Sequence, residues 1–411
     1  MRDEMKKVPR LRFRGFSEDW ELCKLKEITE RVKGNDGRMD LPTLTISASQ
    51  GWLNQKDRFS GNIAGKEQKN YTLLLKNELS YNHGNSKLAK YGAVFSLKTY
   101  EEALVPRVYH SFKSTKNSDP DFLEYIFATK KPDKELGKLV SSGARMDGLL
   151  NINYDDFSNI KINIPHVHEQ KKISNLLRKI DDIITLHQRK LDQLKELKKA
   201  YLQVMFPAKD ERVPKLRFAD FEGEWEQCKL GNILTERNTQ QSKSKEYPLV
   251  SFTVEDGVTP KTERYEREQL VRGDKSSKKY KVTELNDIVY NPANLKFGAI
   301  ARNHYGKAVF SPIYITFIVN DKLACSSYVE VFITRKDFIS YSLKYQQGTV
   351  YERQSVSPEN LLNMKFLLPN TKEQEFIGHF FEKLDCNSNF HKKKITQLKN
   401  LKKSYLQNMF I

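Results

Sequence analysis

The chain has 411 residues, 38% hydrophobic and 11% aromatic, which is enough material for two or three cores. Its net charge of +18 favours a polyanionic partner, most simply nucleic acid. No apolar run is long enough to span a membrane, the opening MRDEMKKVPR lacks the apolar centre of a secretory signal, and the four cysteines form no CxxC; the reading is a reduced, cytoplasmic protein without a disulfide framework or a thiolate zinc site.

Residues 1–7 read as frayed. VPRLRFRGFSEDWELCKLKEI (8–28) then returns as VPKLRFADFEGEWEQCKLGNI (213–233), with 11 of the first 18 positions identical. Pro9, Phe13, Phe16 and Trp20 recur as Pro214, Phe218, Phe221 and Trp225; the tryptophans are expected in local cores, and KLKEI and KLGNI as entries to short helices. Residues 40–165 mix strand-like runs with polar turns: LPTLTISA, TLLLKNELSYN, GAVFSL and PRVYHSF read as strands, DFLEYIFATKK and KELGKLVSS as helices. The second copy keeps the order, with YPLVSFTV, VTELNDIVYN, KAVFSPIYITFIV and YVEVFIT before the helical DFISYSLKYQ. Both copies close alike, NINYDDFSNIKINIP against SVSPENLLNMKFLLP.

Each copy ends in a long basic helix, from about His168 to Phe206 and from about Lys372 to Phe410. In the first, Ile173, Leu177, Ile180, Ile184, His187, Leu191, Leu194, Leu197, Tyr201 and Met205 recur at helical spacing, and Pro207 ends the run. Its matching seam is Ile377, Phe381, Leu384, His391, Ile395, Leu398 and Tyr405, with Ser388 in place of Ile184. Between His187 and Phe206, 13 of 20 positions are identical in the second copy, so the chain is a tandem duplication. At 1.5 Å per residue each helix is about 57 Å long, and its apolar stripe must be buried. The fold expected is α/β (α+β): two globules joined by two helices in an antiparallel coiled coil with a pseudo-two-fold axis. The parts are 1–165 (first globule), 166–207 (first arm), 208–368 (second globule) and 369–411 (second arm). His187 and His391 are expected to pair across the helical interface.

Frame segments are shared between the copies while the central loops differ, as expected if each globule reads something different. The candidate nucleic-acid contacts lie in those loops. After Leu79-Ser80-Tyr81-Asn82 comes HGNSKLAKYG, and after Ile288-Val289-Tyr290-Asn291 comes PANLKFGAIARN. Asn bonds adenine edges, and Lys or Arg meets phosphate or guanine. The candidates are Tyr81, Asn82, the Gly84-Asn85-Ser86 turn, Lys87 and Lys90 in the first copy. In the second they are Tyr290, Asn291, Asn294, Lys296 and Arg302. A second pair of loops, SSGARMDGLLNIN and QQGTVYERQSVS, aligns Gly143 with Gly348 and offers Arg145 and Arg353. Ordinary polar turns are the competing reading of both pairs.

Catalytic signals are poor. Asn291-Pro292-Ala293-Asn294 is similar to the Asn-Pro-Pro-aromatic loop of amino-methyltransferases but lacks the second proline and the aromatic. Pro132-Asp133 has no acidic-x-Lys partner, no GxxxxGK[ST] loop occurs, and His166 and His168 have no further ligands nearby, so no metal site is expected.

The whole chain resembles the specificity subunits of Type I restriction–modification systems. The resemblance rests on the globule–arm–globule–arm order, the duplicated PxLRFxxFxxxWExxxL opening, and the duplicated arms with EQ near their start and YLQxMF at their end. It implies that each globule is a target recognition domain for one half of a split, asymmetric DNA sequence, with the arms fixing the gap. It implies a non-catalytic chain that binds no cofactor itself. Two adenine-N6 methyltransferase subunits would dock on it and use S-adenosylmethionine, and restriction subunits would add an ATP- and Mg-dependent translocase and nuclease. Against it stand a stand-alone methyltransferase or nuclease with a degenerate motif, and a scaffold that binds DNA without sequence preference and with steep salt dependence.

Overall fold

Short polar-capped segments alternate with buried strands in the same order in both copies. In the computed structural model, residues 8–59, 65–140, 149–260, 279–348 and 354–411 are described. The frayed segment 1–7 expected above, and Gly143, Arg145 and Arg353, lie outside them. Contacts divide the chain into two compact units: Met1–Gln188 with Lys393–Ile411, and Arg189–Lys392. Each unit therefore holds one globule, the first part of the helix that follows it, and the last part of the other long helix.

The first globule runs β1 (Glu21–Lys24), α1 (Leu25–Ile28), β2 (Thr29–Val32), β3 (Leu44–Ser47), β4 (Gly51–Asn54), α2 (Gln55–Phe59), β5 (Thr72–Leu75), β6 (Leu79–Asn82), β7 (Ala93–Ser96), β8 (Glu102–Val105) and β9 (His110–Ser114). It continues with α3 (Pro120–Ala128), α4 (Asp133–Leu139), α5 (Tyr154–Ser158) and β10 (Lys161–Ile164), and then enters the long α6 (Val167–Val204). The central sheet has the order β2-β9-β6-β7; β1 pairs with β10, β3 with β4 and β5 with β8, all antiparallel. α3 starts where it does because Asp119 accepts the Phe122 amide at 2.9 Å and Pro120 supplies the first-turn φ. Its buried Phe122, Leu123, Tyr125, Ile126 and Phe127 join Trp20, Phe157 and Leu177 in the main core.

The second globule runs β11 (Glu226–Lys229), α7 (Leu230–Ile233), β12 (Leu234–Glu236), β13 (Gln240–Gln241), β14 (Val250–Thr253), β15 (Gly257–Pro260), β16 (Tyr280–Thr283), β17 (Ile288–Tyr290), β18 (Ile300–Arg302), β19 (Ala308–Phe310) and β20 (Ile315–Val319). After these come α8 (Ser326–Ile333), α9 (Lys336–Ser342), α10 (Pro358–Leu362), β21 (Lys365–Leu368) and the long α11 (Thr371–Asn408). Its central sheet, β12-β20-β17-β18, repeats the first, as do β11-β21 and the β14–β15 hairpin; β16–β19 gains β13 as an extra edge. The two globules are the same fold.

Three sequence expectations change. TLLLKNELSYN and VTELNDIVYN are each two strands of different sheets, split where Asn77 and Asn286 adopt φ of 69° and 70°. Asparagine tolerates that left-handed turn, and a run rich in apolar residues hides it. YVEVFIT is not a strand: it lies in α8, whose buried Tyr328, Val329 and Ile333 meet tertiary partners that override the β-branched propensity. Leu197 is 43% exposed, because the three–four stepping 191, 194, 198, 201 puts Lys198 on the seam instead.

The duplicated motifs acquire a physical role at the helix starts. Arg12 of the LRF motif makes a bidentate pair with Glu169, Nε–Oε1 and Nη2–Oε2 both 2.7 Å, and Arg217 does the same with Glu373. The carboxylates are 1% exposed. The adjacent Gln170 accepts the Asp119 amide (2.9 Å) and donates to the Asn117 and Pro165 carbonyls; Gln374 accepts Cys325 N (2.9 Å) and donates to Leu323 and Pro369. The EQ pair thus fastens each long helix to the globule before it. Its YLQxMF end fastens to the other copy's opening. Phe410 packs edge-on to Trp20 (6.2 Å) and Asn408 O accepts Leu11 N (2.9 Å); Phe206 packs on Trp225 (5.8 Å) and Val204 O accepts Leu216 N (2.8 Å). Both tryptophans are buried, as expected.

Candidate nucleic-acid interface

Within each unit the two helical segments meet through the seam. Ile173, Leu177, Ile180, Leu191, Ile377, Phe381, Leu384 and Ile395 are buried; Ile184, His187, Leu194, Tyr201, His391, Leu398 and Tyr405 are half-buried. In the second unit Lys198 Nζ bonds Asp385 at 2.6 and 2.9 Å while Tyr201 packs on Phe380, so the segments run antiparallel. In the first unit the same two positions exchange helices: Lys402 bonds Asp181 at 2.6 and 2.7 Å. The sequence carried this signal as the repeated Asp181/Asp385 and Lys198/Lys402, but an apolar periodicity search passes over it.

The loop after β6 is built on a buried base. Tyr81 is fully buried, stacks on Phe157 at 4.4 Å, and donates to the Tyr91 carbonyl; burial pushes its phenol well up. Tyr290 is likewise buried, stacked on Phe317, and donates to the Val356 carbonyl. Neither side chain is exposed, which takes both off the surface expected to meet DNA: a central strand is covered on both faces, so alternation cannot tell which side chain points out. Asn82 donates to the Ile46 carbonyl (3.2 Å) and Tyr109 Oη (3.5 Å) and accepts Gly84 N (3.0 Å). Asn291, 5% exposed, accepts Ala293 N and bonds Tyr314. Asn291 shapes its turn rather than offering an edge to a base, while Asn82 holds its turn and also lines the cleft beside it. Arg302 is also corrected. It is 6% exposed, with Nε on Glu330 (2.9 Å), Nη1 on Asn286 and Ser326, and Nη2 on Glu382. Burial opposes the Glu330 charge, but His304 and Arg302 outweigh it and hold that carboxyl below its usual range.

The remaining candidates stand on the surface. Asn85, Ser86, Lys87 and Lys90 are exposed, as is Lys296; Asn294 is half-buried, its carbonyl accepting Phe297 N. His83 anchors the first loop from beneath, its Nδ1 2.7 Å from Leu150 O and Nε2 2.9 Å from Val108 O. It stacks on His110 at 4.9 Å. Burial pushes the His110 imidazole down to about 4, so its neutral ring donates Nε2–H to Ile152 O (2.8 Å). Beside the loop lies a cleft of about 440 Å³ whose lining adds Ser47, Ser49 and Arg58 to Asn85, Ser86 and Lys87. The β3–β4 hairpin and α2 supply those three residues. Sequence reasoning missed them because their approach to residues 85–87 is set by tertiary packing. Hydroxyls, the Asn82 and Asn85 amides and two cations around one opening are the donor and acceptor set that meets phosphates and base edges.

The duplicated scaffold gives each globule a loop that carries exposed cations, Lys87 and Lys90 in the first and Lys296 in the second. The sequence model described as the type I restriction modification DNA specificity domain matches residues 17–196. The putative type I restriction enzyme MjaX specificity subunit of Methanocaldococcus jannaschii is 22% identical over 419 residues, 95% of this chain and 92% of that protein. The MjaVIII specificity subunit of the same organism is 33% identical over 107 residues, 26% of this chain and 24% of that relative. Among solved structures, the S subunit of a type I restriction–modification system from M. genitalium has the same fold, with a TM-score of 0.65 at 14% identity over 98% of this chain and 99% of that one. Residues 17–196 thus match the type I restriction modification DNA specificity domain, and the chain as a whole is similar to specificity subunits of type I restriction–modification systems. No helix among the described residues is long and apolar enough to cross a membrane.

Proposed function

We propose that each globule reads one half of an asymmetric bipartite DNA target, and that α6 and α11 set the unread gap between the halves. The observation that carries this is the split between frame and loops. The Arg–Glu clamp, the seam and the sheet order are duplicated, while HGNSKLA (83–89) and PANL (292–295) differ in length and content. Two different readers on one repeated frame demand two different half-sites at a set phase on the duplex. In this reading the four-part division 1–165, 166–207, 208–368 and 369–411 separates recognition from spacing.

The partners follow from the same reading. Two adenine-N6 methyltransferase subunits dock on the frame and hold S-adenosylmethionine, and restriction subunits bring ATP and Mg; this chain binds neither cofactor and works in the cytoplasm. Exposed Ile183, Leu186 and Leu401 in the first unit, and Leu197 and Phe390 in the second, give the helices apolar surface for such docking.

The test is to co-purify the tagged chain from its native cell, count partner subunits by mass spectrometry, and map methylated adenines. Two methyltransferase copies and one split motif support the reading. A chain that comes down alone and methylates or cuts DNA is an enzyme, and the reading is wrong. A four-residue insertion in 190–200 should change the gap and leave both half-sites intact; altered half-site bases would refute the spacer role.

A further inference from the structure

The two most exposed large hydrophobic side chains among the described residues are Leu88 at 66% and Phe297 at 65%. They fall in matching loops, one after β6 and one after β17, but at different positions: Lys296-Phe297-Gly298-Ala299 matches Lys90-Tyr91-Gly92-Ala93, so Phe297 takes the place of the half-buried Tyr91, and Leu88 lies in the longer stretch before it. Both are presented by closed turns. Ser86 N donates to Ala89 O (3.1 Å) and Ala89 N to Ser86 Oγ (3.1 Å), with Ala89 buried as the anchor. In the second copy Phe297 N donates to Asn294 O (3.0 Å) and Gly298 N to Leu295 O (2.8 Å), with Leu295 buried. Cations flank them: Lys87 and Lys90 beside Leu88, and Lys296 with its Nζ 5.1 Å from the Phe297 ring centre. A second exposed apolar residue recurs in each copy, Val108 (46%) and Ile313 (55%), just before the tyrosines that bond Asn82 and Asn291.

Exposing a Leu or Phe on a rigid turn forgoes the burial that stabilises the fold, so a partner is expected to cover it. We propose that Leu88 and Phe297 are base-reading wedges, each entering a groove of the target duplex and packing on base edges or a partly opened base step while the adjacent lysines neutralise phosphates. Apolar side chains contact the thymine methyl or wedge between bases in this way. The choice of DNA over a protein partner rests on two facts. The flanking charge is positive on a chain of net +18. And a docking surface for two copies of one subunit would be duplicated, as the arms are, whereas Leu88 stands in a stretch three residues longer than its counterpart and the position of Phe297 is held in the first copy by Tyr91.

The inference rests on the DNA-reading function proposed above. The test uses the full complex of this chain with its methyltransferase, comparing wild type with Leu88→Ser, Phe297→Ser and Leu285→Ser. Leu285 is a comparably exposed control (59%) in the turn at the other end of β17. Expected is a methylation map in which Leu88→Ser relaxes one or two positions of one half-site and Phe297→Ser does so in the other half. On a synthetic cognate duplex the methylation rate should fall about five- to a hundred-fold, the range of a lost base-pair discrimination. Leu285→Ser should match wild type. Unchanged maps and rates in both variants overturn the wedge role while leaving the reading function standing. Loss of methyltransferase co-purification would make these loops protein-docking surfaces and also overturn it. A wild-type map with no split motif overturns the reading function itself and this inference with it.

Discussion

Replacing Arg12 by Met should cost about 3 kcal/mol of stability in the first unit. The guanidinium makes two parallel 2.7 Å bonds to Glu169, which raise it above its ordinary value, and the side chains are 13% and 1% exposed. Removing one partner of a buried pair leaves the other charge uncompensated, typically at about 3–5 kcal/mol. Glu169 sits in the first turn of α6, where the helix dipole favours an anion by roughly 1 kcal/mol, so the low end of that range applies. Arg12→Met/Glu169→Leu removes both charges and should recover most of the loss. The assay is urea unfolding of the four members of the cycle, with hydrogen exchange followed on peptides covering 8–20 and 167–177. A single-variant cost below about 1 kcal/mol, the value of an exposed pair, would refute the clamp. So would a double variant no better than the single.

The other outcomes concern smaller parts of the frame. Asp181→Ala should cost about 2 kcal/mol and Asp385→Ala about 1, because Asp181 also accepts the Tyr125 hydroxyl at 2.7 Å; equal unfolding costs would contradict this. Gly92→Ala places a Cβ 2.5 Å from both Asn82 O and Tyr81 Cε2 at φ +84°, so it should lose about 3 kcal/mol and disturb only the half-site read by the first globule. A thermal midpoint equal to wild type would show that the loop base yields. His110 titrates near 4 in the folded chain against 6.5 unfolded. Its contribution is therefore complete above pH 6.5 and lost as pH falls through 4. Wild type should lose about 2 kcal/mol more than His110→Gln between pH 7 and 4.5 in urea midpoints; parallel pH curves would exclude it.

The duplication made the frame readable. Thirteen identical positions in 20 located the arms, and the apolar stepping gave most of the seam. Leu197 misled because it is apolar and one residue out of phase, and Lys198 was hidden because its value lies in a partner 187 residues away. The loops were found as loops, yet Tyr81, Tyr290, Asn291 and Arg302 are buried beneath them, and Asn82 both holds its turn and lines the cleft. Side chains able to meet DNA are equally able to satisfy a turn or an ion-pair network, and only burial distinguishes the two. Leu88 and Phe297 were invisible for the opposite reason: an apolar residue in a loop reads as core until the turn beneath it is seen to be closed.

The composition of the two compact units orders events during synthesis. Arg189–Lys392 is one contiguous stretch, whereas the first unit needs Lys393–Ile411 to supply Phe410 against Trp20 and Phe122. At about 5–20 residues per second, roughly 10–40 s separate the emergence of the first globule from that of its closing helix. Throughout that interval the aromatic face around Trp20 lacks its cover, and by its end the later-born unit has all of its parts. The half of the protein made first is the half finished last.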